Sequence, residues 1–163
     1  MKKINFLFGN KKYEIDAHST TKNSLYDEEG NFLANKKTYS DEDIRNLEIP
    51  CGELDELDSL VNSGVLNSDK VKNEIIRFCN FIRNASGENA LEEKEFHNDV
   101  DIYEIIIFRE NCKKDKYFGK IKIGLIGDIN ETDPDHGISI TFVGDRIVDI
   151  GSAQCFGKLL DEN

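Results

Sequence analysis

The sequence predicts an α+β fold, in which a mostly antiparallel sheet packs against one long helix and short acidic helices. Apolar residues alternate with period two through the C-terminal third, which is typical of β-strands. Between residues 68 and 87 they recur at helical spacing instead. A chain of 163 residues has the usual size of one domain, so we expect a single domain over residues 1–163.

An N-terminal β-hairpin is the first expected element. Residues 4–8 and 13–17 are short strand-like runs, and the segment Gly9-Asn10-Lys11-Lys12 between them has the composition of a turn. A further extended piece is expected between residues 25 and 33, interrupted by the polar segment 27–31.

Two short acidic helices are expected next. Ser40 can cap the first, because its hydroxyl oxygen can accept hydrogen bonds from the backbone N–H groups that follow, and Pro50 ends it. The second ends at Gly64, since glycine adopts the left-handed conformation found after a helix C-terminus. Its apolar stripe consists of Leu54, Leu57, Leu60 and Val61.

The long helix has the strongest helical pattern in the chain. Asn67 or Ser68 is expected to cap it, and Gly87 is expected to end it. Ile76 and Phe81 widen its apolar face, so we expect this helix to lie across the sheet. Its main stripe consists of Val71, Ile75, Phe78, Cys79 and Ile82. A cysteine on such a stripe usually serves as a small hydrophobic residue.

Four C-terminal strands are expected to form a meander. The first, from Val100 to Phe108, is apolar on both faces over much of its length and is therefore expected at the centre of the sheet. In the second, Ile121, Ile123 and Leu125 are expected on one face and Lys120 and Lys122 on the other. The segment 111–116 between them is expected to be a polar hairpin loop.

The register of the last hairpin follows from its apolar pattern. A two-residue turn at Gly144-Asp145 would place Asp149 opposite Ile140, a carboxylate among apolar side chains. A three-residue loop that ends at Arg146 avoids this, so the pattern favours the longer loop. The expected pairs are Ile140 with Ile150, Phe142 with Val148 and Thr141 with Asp149.

The chain is strongly acidic. It contains 32 Asp and Glu residues against 21 Lys and Arg, which gives a net charge of −11. This charge opposes a phosphate backbone, so we expect no direct nucleic-acid partner, and it raises the encounter rate with a basic protein. No apolar run approaches the roughly 20 residues of a membrane span, so no membrane partner is expected. The N-terminus has no apolar leader and the cysteines form no paired motif, which predicts a cytoplasmic protein.

The sequence contains no convincing catalytic or cofactor motif. Its glycines do not form a phosphate-binding loop between a strand and a helix, and its histidines lack zinc-site spacing. We therefore expect no cofactor and no enzyme. His136 is the histidine beside a carboxylate cluster and could act as a general base with Asp133 or Asp135. A His/Asp or metal-dependent hydrolase therefore remains an alternative.

Acidic residues 128–135 are expected to lie in the loop between two strands. Oxygen ligands at alternating positions suit a hard cation such as calcium. The spacing departs from an EF-hand, however, because Asp133 occupies the glycine position and Ser139 the final glutamate position. We expect a solvated acidic loop and no metal site.

Clustered carboxylates are the main candidate for recognition of a partner. Such clusters are usually solvated faces, but the two acidic helices and the loop at 128–135 could together form a docking surface for a basic protein. The candidate contact residues are Asp41, Glu42, Asp43, Glu48, Glu53, Asp55, Glu56, Asp58, Asp128, Glu131, Asp133 and Asp135.

The segment 133–151 carries a resemblance. Its Asp-Pro-Asp-His-Gly start, alternating strand, glycine turn, second strand and final glycine resemble a set of small uncharacterised bacterial domains. Those domains continue with an aspartate shortly after the last glycine, where this chain has Ser152-Ala153-Gln154. Proteins of this kind are similar to the acidic cytoplasmic immunity proteins of bacterial toxin systems. The resemblance implies a protein that binds and neutralises a toxin domain.

The sequence therefore predicts a non-enzymatic, cytoplasmic protein-binding module, with an immunity protein that neutralises a basic toxin domain as its specific form. One alternative is the hydrolase that uses His136. The other is a structural component of an assembly.

Overall fold

The structure, a computed structural model, describes residues 2–19, 49, 51–110 and 112–153. The extended piece expected between residues 25 and 33 lies outside the described residues. So does the first acidic helix, expected over residues 40–50, apart from Ile49.

The fold is α+β, as the sequence predicts, and the described residues form one six-stranded sheet and three helices. The strands are β1 (Lys2–Phe8), β2 (Lys11–Ser19), β3 (Val100–Arg109), β4 (Ile121–Ile129), β5 (Asp133–Val143) and β6 (Arg146–Gly151). The helices are α1 (Cys51–Asn62), α2 (Asp69–Ala85) and α3 (Phe96–Asp99). Short 3-10 turns lie at Val65–Asn67 and Glu93–Glu95.

The strands follow one another across the sheet in the order of the sequence. Every neighbouring pair is antiparallel except β2 and β3, which run parallel with Ala17 opposite Ile105 and Ser19 opposite Ile107. Antiparallel strands can be joined by short hairpins, but a parallel pair needs a long crossover connection. The connection here contains α1 and α2. The expected N-terminal hairpin and C-terminal meander are both confirmed.

The helix termini follow local sequence signals. Ser68 caps α2, because its Oγ accepts a hydrogen bond from Val71 N at 3.3 Å. Gly87 has a φ of 72° after the helix, and Glu88 N donates to Arg83 O at 2.8 Å, which satisfies a carbonyl of the last turn. The expectation that Phe81 widens the buried face is wrong, because this side chain is 78% exposed on the outer side of α2.

The main core lies between the helices and one face of the sheet. Leu57 and Leu60 of α1 and Val71, Ile75 and Cys79 of α2 are buried there against the sheet. Burial of this apolar surface is the main force that holds helices and sheet together. A second cluster, Ile106, Phe108 and Ile126, is buried on the opposite face of the sheet.

Two turns are tighter than the sequence suggests. The N-terminal hairpin turns through Gly9 and Asn10 alone, both at positive φ, so that Phe8 pairs with Lys11. The last hairpin turns through Gly144 and Asp145 alone, with Phe142 opposite Ile147.

A bulge resolves the register conflict in the last hairpin. The register shifts between Thr141 and Phe142, and beyond the shift Ile140 faces Ile150 and Thr141 faces Asp149. Those two expected pairs are therefore confirmed, whereas the expected three-residue loop and the pairing of Phe142 with Val148 are wrong. An extra residue in one strand restores the alternation that the short turn would otherwise break.

Candidate functional site

An open cleft of about 200 Å³ lies at the end of the sheet where β4 ends and β5 begins. The acidic segment singled out in the sequence forms one side of it. The cleft is lined by Tyr103, Asp128, Pro134, Asp135, His136, Gly137 and Ala153.

A bulge in β3 exposes Tyr103. Ile102 pairs with Gly127 and Glu104 pairs with Ile126, so Tyr103 is an extra residue between two regular pairs. Such bulges bend the strand and redirect a side chain. The Tyr103 side chain is 51% exposed at the cleft, although its two neighbours along the chain are buried or half-buried.

A larger irregularity in β5 forms the opposite side of the cleft. Gly127 of β4 pairs with Ile138, and Ile129 pairs with Asp133. Residues 134–137 of β5 therefore lie opposite Asp128 alone, and they protrude. The expectation that residues 128–135 form a loop is corrected in part, because Asp128 belongs to β4, Asp133 and Asp135 belong to β5, and the connecting turn covers residues 130–132.

Two glycines allow the backbones to approach one another closely beneath the cleft. Gly137 has a φ of 63°, and a Cβ atom there would lie 2.6 Å from the carbonyl oxygen of Gly127. At Gly127 a Cβ atom would collide with the carbonyl oxygen of Asp101 in β3. Any larger residue at either position must therefore push strands apart at the floor of the cleft.

The His136 ring is held by a carboxylate. Its Nδ1 lies 2.8 Å from Asp133 Oδ1 and 3.1 Å from Asp133 Oδ2. An ionised carboxylate only accepts hydrogen bonds, so Nδ1 is the donor. The backbone here is anchored as well, since His136 O accepts from Ala153 N at 3.0 Å and from Ser152 Oγ at 3.1 Å. The protruding segment is therefore tied to the end of β6.

Burial, together with the negative charges of Asp128 and Glu104, raises the pKa of Tyr103. Its phenol is therefore protonated at neutral pH and can donate a hydrogen bond. Asp128 and Asp135 are exposed beside it. The cleft combines an aromatic ring, a hydroxyl donor and two exposed carboxylates.

The turn that joins β4 to β5 is fixed by Asp99 at the end of α3. Asp99 Oδ1 accepts from Glu131 N at 2.7 Å and from Thr132 N at 3.2 Å, while Oδ2 accepts from Thr132 Oγ1 at 2.6 Å. Arg83 of α2 donates from Nε to the same hydroxyl oxygen at 2.8 Å. This buried network positions β4 and β5, which form the cleft together with Tyr103 of β3.

The structure brings three of the predicted contact residues together and leaves a fourth nearby. Asp128 and Asp135 line the cleft, Asp133 holds the His136 ring, and Glu131 is exposed in the adjacent turn. The predicted residues Asp41, Glu42, Asp43 and Glu48 lie outside the described residues.

The predicted acidic face of α1 has one clear exception. Asp55 and Glu56 are exposed and Asp58 is half-buried, but Glu53 is only 7% exposed. Its Oε2 accepts a hydrogen bond from Ser19 Oγ at 2.9 Å. Glu53 is therefore turned away from solvent, because its position in the first turn of α1 faces the sheet.

The described residues contain no candidate metal cluster, and the core thiol of Cys79 is unreactive. No group of three or more His, Cys, Asp or Glu side chains within it is placed to hold a metal ion. Cys79 is buried, and burial followed by the charge of Asp99 raises the pKa of this thiol to about 12. A thiol in that state is not a nucleophile at neutral pH.

Tyr103 is the cleft residue that the sequence did not single out. It lies in an apolar alternating strand, where an aromatic residue is normally a core residue. The alternation of residues in β3 does not reveal the bulge that exposes this side chain. Arg83 was also missed, although it follows Val71, Ile75 and Cys79 at intervals of four, a spacing that places it on the buried stripe.

Comparisons with protein-family models, with curated proteins and with solved structures find no match to this chain. Within the described ranges, none of the helices combines the length and the apolar character that a membrane crossing requires.

Proposed function

We propose that this protein is a non-enzymatic binding module whose cleft receives a cationic side chain of a basic protein partner. The observation that carries the proposal is that the Tyr103 ring and the carboxylates of Asp128 and Asp135 line one open cleft. A lysine or arginine side chain can place its charge between the carboxylates and against the ring. Cation–π contact contributes about 0.5–1 kcal/mol at exposed sites and more when water is excluded.

The cleft is preorganised for binding. The hydrogen bond from His136 to Asp133 and the bonds that Ala153 and Ser152 donate to His136 O hold the protruding segment in place. Tyrosine has few rotatable bonds, so ordering Tyr103 costs little entropy. Both features reduce the cost of association, and tyrosine is one of the residues that most often dominates interface energetics.

The net charge of −11 supports the same proposal. Complementary charge accelerates the encounter with a basic protein and makes the association rate fall with salt. The resemblance of residues 133–151 to domains similar to immunity proteins suggests a specific partner, a basic toxin domain whose surface the cleft would cover. In this form of the proposal the protein acts in the cytoplasm of the cell that makes the toxin.

The proposal is tested by co-expression with the products of adjacent genes, followed by affinity capture at low and at high salt. The double variant Asp128→Asn/Asp135→Asn should weaken binding of a captured partner by at least about tenfold, because two contact charges are lost. Asp69→Asn/Asp145→Asn is the matched control, since both residues are exposed, neither is a candidate contact residue, and the net charge changes equally. Capture of no partner, salt-independent binding, or an equal effect of this control would contradict the proposal.

A second candidate function is acid–base catalysis, and the 2.8 Å contact between His136 Nδ1 and Asp133 favours it. A carboxylate on one ring nitrogen orients a histidine and makes it a better base at the other. If the cleft turns over a substrate, His136→Ala should abolish turnover and leave the unfolding midpoint nearly unchanged, because the ring is half exposed. A His136→Ala variant that binds the partner normally, with no turnover in either protein, favours the binding module.

A further inference from the structure

A basic hairpin tip lies at the opposite end of β4 from the cleft. We define the basic tip as residues 112–120, between β3 and β4. The slightly wider segment 109–122 contains six Lys or Arg residues and two acidic residues, Glu110 and Asp115. The rest of the chain therefore contains 15 of the 21 basic residues and 30 of the 32 acidic residues. The local charge has the opposite sign to that of the chain.

The outward charges of the basic tip are its lysines. Lys114, Lys116 and Lys120 are exposed. The two carboxylates of the segment are bound from beneath by one buried ammonium group, because Lys122 Nζ lies 3.0 Å from Glu110 Oε1 and 3.0 Å from Asp115 Oδ2. The ammonium group offsets one of the two carboxylate charges, so the other five basic residues of the segment are opposed by a single negative charge.

The basic tip also carries an exposed aromatic ring. The Phe118 side chain is 49% exposed, while the neighbouring Tyr117 is half-buried with the ammonium groups of Lys116 and Lys122 at 5.5 and 5.9 Å from its ring centre. Phe118 has no polar group that could account for its exposure to water. An apolar ring surrounded by lysines suits a surface that offers anionic groups above an apolar layer.

The backbone of the basic tip is well ordered by hydrogen bonds. Tyr117 N donates to Asp115 Oδ1 at 2.7 Å, Phe118 N donates to Asp115 O at 3.1 Å, and Gly119 N donates to Glu110 O at 2.8 Å. Phe118 and the flanking lysines are therefore presented together without a further folding step.

We propose that the basic tip binds the surface of an anionic lipid membrane. Phe118 enters the headgroup layer, and Lys114, Lys116 and Lys120 contact the anionic headgroups. Basic residues next to such a surface each strengthen binding about fivefold, and aromatic rings are favoured at the boundary between headgroups and acyl chains. The basic tip offers one exposed ring, Phe118, whereas single-stranded nucleic acid needs a groove with several stacking platforms.

The net charge of the chain does not prevent this contact. Lys120 directly precedes β4 and Asp128 lies near its end, eight residues later, which corresponds to about 27 Å at about 3.4 Å per residue. The Debye length at physiological salt is about 8 Å, so the acidic cleft is screened from a membrane that the basic tip touches. The contact also leaves the cleft facing the aqueous phase. The expectation of no membrane partner rested on the lack of a spanning segment, and a peripheral contact needs none.

The chain contains no tryptophan, which permits a clean test with the full-length protein. Phe118→Trp introduces a single reporter at the basic tip, and Phe81→Trp introduces the matched control on the exposed face of α2. The probes are vesicles of phosphatidylcholine alone and of phosphatidylcholine mixed with phosphatidylserine. We expect the indole fluorescence of the Phe118→Trp variant to shift to shorter wavelength with the mixed vesicles only, and that of the control variant to stay unchanged.

Co-sedimentation with the same vesicles measures the lysine contribution. Lys114→Gln/Lys116→Gln/Lys120→Gln should lower the partition coefficient on the order of a hundredfold, while Lys2→Gln/Lys12→Gln/Lys70→Gln, with the same net charge, should lower it only slightly. Equal binding to both kinds of vesicle, an equal effect of the control lysines, or no binding to the mixed vesicles at low salt would overturn the proposal. Preferential binding of a single-stranded oligonucleotide in competition with the vesicles would overturn it as well.

Discussion

Thr132 Oγ1 lies 2.6 Å from Asp99 Oδ2 and donates its hydrogen bond to that carboxylate. The same oxygen accepts from Arg83 Nε at 2.8 Å. One hydroxyl group therefore connects two buried charges whose own closest contact, Arg83 Nη2 to Asp99 Oδ2, is 3.7 Å. The network joins α2, α3 and the turn between β4 and β5.

Thr132→Val should therefore destabilise the protein strongly. The change preserves the shape of the side chain but removes one hydrogen bond from each of two buried charged groups, for which we expect a loss of about 2–3 kcal/mol. Thr132→Ser keeps the hydroxyl and should cost about 1 kcal/mol for the lost methyl group. Urea unfolding measures both, and equal losses in the two variants would show that the hydroxyl is unimportant.

Gly137→Ala should distort the floor of the cleft. Its φ of 63° disfavours a side chain, and the new Cβ would lie 2.6 Å from Gly127 O, so we expect a loss of about 2–4 kcal/mol. Gly144→Ala is the matched control, because Gly144 has a φ of 60° with open space around the added Cβ. It should cost only about 1–2 kcal/mol. Thermal or urea unfolding of the two variants measures the extra cost of the contact between the new Cβ and Gly127 O. Equal losses of unfolding free energy would show that this contact has no effect.

Glu53→Gln should change how stability depends on pH. Burial raises the pKa of Glu53 above its ordinary value of 4.5, against the opposing effects of the Ser19 hydrogen bond and the Arg109 charge. The folded state then keeps a proton that the unfolded state has lost, so this group lowers stability as pH rises from 4.5 through the raised pKa.

Glutamine carries no such charge. The stability of Glu53→Gln relative to the unchanged protein should therefore rise across that pH interval and then stay constant up to neutral pH. Urea unfolding at a series of pH values measures the difference between the two proteins, in which the other titrating groups cancel. A difference that falls with pH would contradict the assigned direction.

Lys122→Met should destabilise the protein because it leaves Glu110 and Asp115 without their shared ammonium group. Removal of one partner from a buried ion pair typically costs about 3–5 kcal/mol. Lys120→Met provides the comparison, since Lys120 is exposed and its substitution should change stability by less than about 0.5 kcal/mol. Chemical denaturation distinguishes the two, and similar midpoints would show that Lys122 does not support the basic tip.

Cys79 should resist alkylation in the folded protein. Burial raises the pKa of its thiol to about 12, so almost no thiolate exists at mildly alkaline pH, and the sulfur is shielded from solvent. Cys51 is exposed and serves as the internal control. Mass spectrometry of proteolytic peptides after iodoacetamide treatment should find Cys51 modified and Cys79 unmodified, and both should react in denaturant. Modification of Cys79 at a rate close to that of Cys51 would contradict its placement in the core.

Part of the candidate site was predictable. Asp128, Asp133, Asp135 and His136 are close together in sequence, so any compact arrangement of that segment keeps them near one another. Tyr103 could not be predicted, because it lies far from them in the chain and reaches the cleft through a β3 bulge. On α1, Asp55 and Glu56 are exposed, whereas Glu53 is buried because the hydroxyl of Ser19 at the end of β2 provides it with a hydrogen-bond donor.

The sequence by itself determined the features that depend on neighbouring residues. The period-two pattern specified the meander, Ser68 and Gly87 specified the ends of α2, and apolar matching specified the pair Ile140 and Ile150. Only the tertiary structure decided the parallel pairing of β2 with β3, the bulge that restores the β5–β6 register, and the cleft. These features depend on contacts between segments far apart in the chain, where close packing between backbones selects one arrangement among several that local propensities allow.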